Sequence, residues 1–202
     1  MDIAATLESR GTTLNMVKSI AAELDIPFTV GGGVNNITAV EQLLKSGADK
    51  VAVNSAALRR PDLLNELSTA FGSQCIVIAV DAKKIGNSWI VYEAGGTKQT
   101  KRNLFDWGKE AEDRGVGELL FTSMSNDGVK KGFAISAIKK LSEQLKIPII
   151  ASGGAGKIKD FITVFKEGKA DAALAASVFH FGEINLQELK KELKNNKINI
   201  RY

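Results

Sequence analysis

Two long segments of the chain repeat each other almost position for position, and this repeat restricts the fold more than any other feature. Segment 26–57 reads IPFTVGGGVNNITAVEQLLKSGADKVAVNSAA, and segment 147–177 reads IPIIASGGAGKIKDFITVFKEGKADAALAAS. Pro27 corresponds to Pro148, so the two copies are 121 residues apart. Self-similarity over this length indicates one structural plan that is used twice in the same fold.

The chain alternates short β-branched runs with longer amphipathic segments. The runs are IPFTV, KVAVN, CIVIAVD, GELLFTS, IPIIAS and ADAALAAS, at 26–30, 50–54, 75–81, 117–123, 147–152 and 170–177. Continuous apolar strands separated by helices are typical of a parallel sheet. In NNITAVEQLLKSG, Asn36 can cap a helix over about 38–46 and Gly47 can end it. The order of elements predicts consecutive βαβ units.

The repeat also predicts the architecture, an α/β fold of the (βα)8 TIM-barrel class with two-fold internal symmetry. Two halves of four units, at about 30 residues each, need about 240 residues, whereas the chain has 202. The strand that ends at Asp81 has no partner one period earlier, and Met1–Ile3 aligns with Thr122–Met124. We therefore expect residues 1–202 to form one barrel domain of strands 2 to 8, truncated so that strand 1 and helix 1 are missing.

The composition excludes several classes of protein. Cys75 is the only cysteine, which excludes a disulfide framework and favours a reducing compartment such as the cytosol. Without a CxxC pair or a His-rich cluster, we expect no metal site, and we expect no cofactor. The sequence begins with polar and acidic residues instead of a signal peptide, and no run approaches the roughly 18 apolar residues of a membrane span.

The net charge of +4 does not indicate a nucleic-acid partner. Much of the excess lies in a C-terminal basic run of Lys190, Lys191, Lys194, Lys197 and Arg201. A basic terminal helix is usually a solvated surface, and no aromatic side chains are interleaved with these cations. We therefore expect neither nucleic acid nor a membrane as a partner.

Glycine-rich turns follow two corresponding strands, at Gly31–Gly33 and Gly153–Gly154. One βα unit after each turn, the next strand ends in small or hydroxylic residues. These are Asn54-Ser55 after the first turn and Ala176-Ser177 after the second. Such turns lie where barrel active sites form, and glycine lets backbone N–H groups approach a phosphate. An isolated glycine pair would more simply make a tight turn. The duplication favours two phosphate cradles and a ligand with a phosphate at each end, and the strand-end residues Thr122 and Ser152 are added to this binding surface.

Other candidate side chains carry competing interpretations. Asp81 ends a buried strand and must face the polar mouth of the barrel, which suits a general acid or base, although Lys83 or Lys84 could instead hold it in place. Asp127-Gly128 could be ordinary turn residues or could close over a phosphate. His180 is interpreted as a packed neighbour of aromatic residues, and Cys75 as a core residue at the start of its strand.

Two charged residues begin strands at the opposite end of the predicted barrel. Lys50 opens KVAVN, and Glu118 lies at the start of GELLFTS. Charges at a barrel base usually meet solvent or pair with each other. Alternatively, a ring of them could gate a central passage or dock a partner.

Six motifs along the chain can be compared with known families: TVGGGV, ADKVAVNSAA, FGSQCIVIAVDAK, GELLFTSMSNDG, IIASGGAG and ADAALAASVFHFGE. Together they resemble the HisF family, the cyclase subunits of imidazole glycerol phosphate synthase. The resemblance extends from Asp2 to the C-terminus. The resemblance implies a cytoplasmic lyase of histidine biosynthesis. Such an enzyme converts PRFAR and ammonia into imidazole glycerol phosphate and AICAR. It also implies a heterodimer with the glutaminase HisH, whose ammonia passes through the barrel.

The resemblance further assigns roles to residues. Asp81 matches one of two catalytic aspartates, and the other belongs to strand 1. The phosphate-binding matches are Gly33, Asn54 and Ser55 at one end and Asp127, Gly128, Gly154, Ala176 and Ser177 at the other, with Gly32 and Gly153 in the same turns. Lys50 and Glu118 match the ammonia gate. Asp49 and Gln74 match positions that face the glutaminase.

Two other functions are compatible with the sequence. The chain could be a catalytically inactive protein that binds phosphates or the glutaminase. It could also be a HisF-like amidotransferase partner that acts on a sugar. The second alternative leaves the duplicated cradle without a purpose, because such a substrate carries one phosphate or none.

Overall fold

A computed structural model describes residues 14–201 of the chain. The strands are β1 (Thr29–Gly31), β2 (Lys50–Val53), β3 (Ile76–Ile85), β4 (Ser88–Glu93), β5 (Lys98–Asn103), β6 (Glu118–Ser123), β7 (Ile149–Ser152) and β8 (Ala172–Leu174). The helices are α1 (Leu14–Glu23), α2 (Ile37–Lys45), α3 (Ser55–Arg59), α4 (Asp62–Phe71), α5 (Leu104–Asp113), α6 (Ile135–Gln144), α7 (Ile158–Lys166), α8 (Ser177–His180) and α9 (Leu186–Asn195). Among these helices, none combines the length and apolar character needed to cross a membrane.

Six parallel strands, in the order β1-β2-β3-β6-β7-β8, curl into a half-barrel with helices between successive strands. This confirms the predicted α/β class, and each of the six apolar runs overlaps one of these strands. The predicted strand tip at Met1–Ile3 lies outside the described residues. The pairing is consistent with the (βα)8 TIM barrel that the repeat predicts.

The alternation of side chains divides the sheet into two faces. On the outer face, large residues such as Ile78 and Phe121 are fully buried against the helices. On the concave face, a separate small cluster contains Ala52, Val77, Ala79 and Leu120, with Ile150 packed against it. These residues form a band across the middle of the concave face. The other side chains of the concave face therefore lie on either side of this band, at the amino ends and at the carboxyl ends of the strands.

Helix α2 forms as the sequence predicts. The side chain of Asn36 accepts a hydrogen bond from the N–H of Ala39 at 2.8 Å, which is an N-cap. The chain then leaves the helix through Gly47 at φ +102°. A Cβ atom at Gly47 would lie 2.5 Å from the Cβ of Ala21, so the close packing of α1 also requires glycine there.

The β4–β5 hairpin is absent from the sequence-based prediction. β3 does not end at Asp81 but continues to Ile85, because its last residues pair antiparallel with β4. Trp89 of β4 is buried and packs edge-on against Phe121, with ring centroids 5.4 Å apart. The alternating pattern of 88–93 after Gly86 and Asn87 is the signal that predicts such a hairpin.

Two smaller expectations also require correction. Cys75 does not begin a strand but ends a short 3-10 helix at Ser73–Cys75, where it is half-buried against the core. The last predicted strand, 170–177, is reduced to Ala172–Leu174. Its final residues instead turn into α8, which begins at Ser177.

Candidate active site at the carboxyl ends of the strands

Polar side chains occupy the concave face where the parallel strands end. The strand register places Asp81 beside Thr122, and Thr122 beside Ser152. Asn54 directly follows β2, the other parallel neighbour of β3. The structure therefore brings together four residues that the sequence predicted separately.

The carboxylate of Asp81 is the chemical centre of this row. Burial raises its pKa, the hydrogen bond from Asn54 lowers it, and the negative charge of Asp127 raises it, with a net upward effect. The Nδ2 group of Asn54 donates that hydrogen bond to Oδ2 at 2.9 Å. The alternative in which Lys83 or Lys84 holds Asp81 is wrong, since neither forms an ion pair with it within residues 14–201.

Asn54 has a second distinctive feature. Its Oδ1 atom is buried and has no hydrogen-bond partner in the described part of the chain. A buried acceptor without a donor is costly, and bound ligands often supply the missing group. The sequence predicts that Asn54 belongs to a phosphate cradle. The structure shows that its side chain also contacts the carboxylate of Asp81.

The residues of the first predicted cradle lie in the loops after β1 and β2. Gly31 of β1 pairs with Ala52 of β2. Gly33 is two residues after Gly31 and Asn54 is two residues after Ala52, so both lie just beyond the paired ends of these strands. Ser55, the first residue of α3, is buried and its Oγ accepts a hydrogen bond from the N–H of Ala94 at 2.9 Å. Within residues 14–201 the Ser55 hydroxyl donates no hydrogen bond, so its hydrogen can be donated to a ligand.

Most residues of the second predicted cradle lie in the loops after β6 and β7, which are hydrogen-bonded to each other. The N–H of Gly132 donates to the carbonyl of Gly154 at 2.8 Å. Gly154 has φ +108°, and a Cβ there would lie 2.2 Å from the carbonyl oxygen of Gly132. A Cβ at Gly153 would lie 2.7 Å from the Ser123 carbonyl oxygen and 3.3 Å from the Cβ of Asp127. Tight packing is therefore one reason for both glycines.

The remaining predicted ligands of the second cradle are open to solvent. Gly128 is exposed at φ +72°, and a Cβ there would meet no atom within 4 Å. Asp127 is exposed in the same turn. Ala176 and Ser177 are exposed where β8 passes into α8.

Asp160 shapes the second cradle, and the sequence analysis missed it. Its buried carboxylate accepts hydrogen bonds from the N–H groups of Gly156 and Lys157 at 2.9 and 3.0 Å. An acidic residue in the first turn of a helix that follows a glycine-rich loop is the signal that could have identified it. Asp160 thereby fixes the path of the chain from Gly154 into α7.

The opposite end of the concave face carries the predicted charged pair. Lys50 and Glu118 are the first residues of β2 and β6, and they form an ion pair across the intervening strand β3. Their side chains are 29% and 19% exposed, so the pair is partly shielded from solvent. The prediction that charged residues at this end of the strands pair with each other is confirmed for Lys50 and Glu118.

Asp49 has an internal contact that the sequence did not predict. Its Oδ2 accepts a hydrogen bond from the N–H of Phe28 at 2.7 Å. In the other copy of the repeat, Asp171 accepts equivalently from Ile149 at 2.9 Å. Asp49 nevertheless remains exposed, as does Gln74 in the 3-10 helix before β3.

His180 lies at the end of α8, away from the row around Asp81 in sequence. Its ring contacts Phe181 edge-on, with centroids 5.1 Å apart. Because Phe181 is 71% exposed, the predicted aromatic neighbour is present but the pair lies on the surface. Across residues 14–201, no group of three or more His, Cys, Asp or Glu side chains is placed to hold a metal.

Comparison with known proteins gives a consistent result. The family model for histidine biosynthesis proteins matches residues 1–185. Proteins named imidazole glycerol phosphate synthase subunit HisF align with the whole chain over 201 residues, which is 80% of each relative's length. They are 58% identical in Flavobacterium johnsoniae, 57% in Flavobacterium psychrophilum and 54% in Parabacteroides distasonis.

Proposed function

The chain belongs to the HisF family of histidine biosynthesis proteins, and on that premise we propose that it catalyses the cyclase reaction of imidazole glycerol phosphate synthase. The substrate is PRFAR, which carries two phosphates, and the second reactant is ammonia. The products are imidazole glycerol phosphate and AICAR. This is a lyase reaction that we place in the cytoplasm.

We assign the acid–base step to Asp81, and its environment carries the proposal. A carboxylate whose pKa is raised by burial holds a proton closer to neutral pH than an exposed one does. Such a group can donate a proton to a leaving oxygen and later accept one. Asn54 contacts the same carboxylate and offers the unpaired Oδ1 atom to a donor on the substrate.

We assign one phosphate of PRFAR to each cradle. The first is lined by Gly33 and the hydroxyl of Ser55, and the second by Gly128, Gly154 and Ser177. Asp81, on β3, lies between the two pairs of loops, and Thr122 and Ser152 continue the row along β6 and β7. A ligand held at both ends would therefore cross the row that contains the reactive carboxylate.

We assign the opposite end of the strands to the glutaminase HisH. Lys50 and Glu118 would control the entry of ammonia, because opening a passage along the concave face requires their ion pair to move. Asp49 and Gln74 are exposed beside them and would contact the partner. Ammonia released there would reach Asp81 without crossing bulk water.

Replacement of Asp81 by Asn tests the catalytic assignment. We expect turnover of PRFAR with ammonium to fall by at least a hundredfold, which is the lower range for loss of a general acid or base. Binding of PRFAR, measured by calorimetry, should change little, because both cradles remain. Asp106→Asn, an exposed position on α5, is the matched control and should keep full turnover.

The alternatives predict different results in the same assay. A wild-type protein that binds PRFAR without turning it over would support the inactive phosphate-binding alternative. A protein that neither binds nor converts PRFAR, yet stimulates glutamine hydrolysis by HisH, would support an amidotransferase partner for another acceptor. Loss of PRFAR binding in Asp81→Asn would contradict the division of roles proposed here.

A further inference from the structure

The end of β4 contains a buried carboxylate that has no part in the proposed reaction. Glu93 is the last residue of β4, and its side chain is only 7% exposed. It pairs with Arg59 and with Lys98, in both cases at 2.7 Å. Lys98 and then Arg59 hold the pKa of Glu93 below its ordinary value despite burial, so the group is charged at neutral pH.

These two contacts join separate parts of the fold. Arg59 is the last residue of α3, and Lys98 is the first residue of β5. The residue after Glu93, Ala94, donates its N–H to the Oγ atom of Ser55, which is the first residue of α3. Two consecutive hairpin residues therefore hold both ends of the same short helix.

The turn after β4 is itself well fixed. Ala94 adopts φ +54°, an unfavourable region for a residue with a side chain. Its carbonyl accepts hydrogen bonds from both the hydroxyl and the N–H of Thr97, at 2.7 and 3.3 Å. A strained conformation persists only where surrounding contacts determine it, and the ion pairs of Glu93 provide such contacts.

We propose that Glu93 is a positioning residue for the first phosphate cradle. By holding Arg59 and Lys98, it keeps the N–H of Ala94 on the Oγ atom of Ser55, and this contact directs the Ser55 hydroxyl hydrogen towards the phosphate. The inference rests on the proposed function, since it assumes that Ser55 binds a phosphate. It adds that the β4–β5 hairpin sets the affinity at one end of the substrate only.

The test is a titration of isotope-labelled protein with inorganic phosphate, followed by the backbone amide signals of Gly33 and Gly154. These two reporters give separate dissociation constants for the first and second cradles. Glu93→Gln should weaken phosphate binding about three- to tenfold at Gly33, which is the range for one hydrogen bond, and leave Gly154 unchanged. Lys98→Met, at a side chain that is 69% exposed, is a second variant that does not disturb the core.

Ser55→Ala and a control ion pair complete the design. Ser55→Ala should weaken binding at Gly33 to a similar degree, and adding Glu93→Gln to it should cause no further loss. Glu110→Gln removes ion pairs with Arg102 of β5 and with Arg114, but it does not involve Ala94 or Ser55, so it should leave both constants unchanged. In the enzyme assay, Glu93→Gln should raise KM for PRFAR and leave kcat nearly constant.

The outcomes separate this inference from the proposed function. If Ser55→Ala leaves binding at Gly33 unchanged, the proposed first cradle is wrong and the role of Glu93 fails with it. If Ser55→Ala weakens binding but Glu93→Gln and Lys98→Met do not, only the role of Glu93 is overturned. Equal weakening at Gly33 and Gly154, or full additivity in the double variant, would indicate general loosening and would also overturn it.

Discussion

The side-chain amide of Asn54 donates a hydrogen bond to the carboxylate of Asp81 at 2.9 Å, and this contact opposes the effect of burial on the same group. Burial favours the protonated acid, whereas the amide N–H favours the carboxylate. Burial therefore dominates the proton affinity of Asp81, and a residue that follows the adjacent strand β2 reduces it. The following predictions concern this pair and the loops and strand ends around it.

Removal of the Asn54 amide should raise the pKa of Asp81 further. In Asn54→Ala, the contribution that lowers the pKa is lost, while burial and the charge of Asp127 remain. We expect the limb of the pH profile of kcat/KM with ammonium that reports the ionisation of Asp81 to move to higher pH. Asn36→Ala, which removes the cap of α2, should cost about 1 kcal/mol of stability and leave the profile in place.

Asp81→Asn should stabilise the fold at neutral pH. A carboxyl group whose pKa is higher in the folded protein than its ordinary value of 3.8 binds protons more tightly when folded, so it favours folding at low pH and opposes it above the folded pKa. Asparagine removes this penalty. We expect Tm at pH 8 to be higher for Asp81→Asn than for wild type.

Measuring Tm of Asp81→Asn and of wild type at several pH values provides a control for this prediction. The difference in Tm between Asp81→Asn and wild type should shrink as pH falls through the folded pKa of Asp81. A difference that stays constant from pH 8 down to pH 3.8, the ordinary pKa of the group, would show that the stabilisation has another origin. A lower Tm at pH 8 would contradict the assigned burial penalty.

Gly154→Ala and Gly128→Ala should separate packing from ligand binding. The new Cβ at position 154 would lie 2.2 Å from the Gly132 carbonyl oxygen, so the two loops must move apart, at a cost above about 3 kcal/mol. At position 128 there is open space, and only the left-handed backbone adds about 1 kcal/mol. Urea unfolding measures both costs. If Gly128 binds phosphate through its backbone, Gly128→Ala should raise KM for PRFAR despite its mild effect on stability.

Asp49→Ala and Asp171→Ala should have similar effects on stability and different effects on the partner. Each carboxylate accepts a hydrogen bond from the start of the preceding strand, at 2.7 and 2.9 Å, and each loss should cost about 1–2 kcal/mol. Only Asp49→Ala should lower the glutamine-dependent rate with HisH relative to the ammonium-dependent rate. An equal reduction in both variants would show that Asp49 acts through folding alone.

Local and periodic signals in the sequence predict much of this fold. The apolar runs predict six parallel strands, and Asn36 with Gly47 predicts α2 to within one residue at each end. These predictions succeed because strand burial, capping and glycine conformations depend on neighbours in sequence. The repeat adds the correspondence between the two glycine-rich turns before any contact is known.

The contacts around the candidate site depend on longer separations. Nothing local indicates that Asn54 reaches Asp81, that the N–H of Ala94 reaches Ser55, or that Glu93 pairs with Arg59. The β4–β5 hairpin was missed because it lies where the βα pattern predicts only a connection to the next helix.

The sequence by itself determined the class of fold, the order of the parallel strands along the chain and the residue types at the strand ends, because periodicity and repetition are properties of one dimension. Only the tertiary structure decided which of those residues share a face, which are buried and which form pairs. The register of β3 against β6 places Asp81 beside Thr122, and burial then raises the pKa of that carboxylate. Proton affinity and hydrogen-bond direction depend on distances in space, and those distances exist only after the sheet has curled.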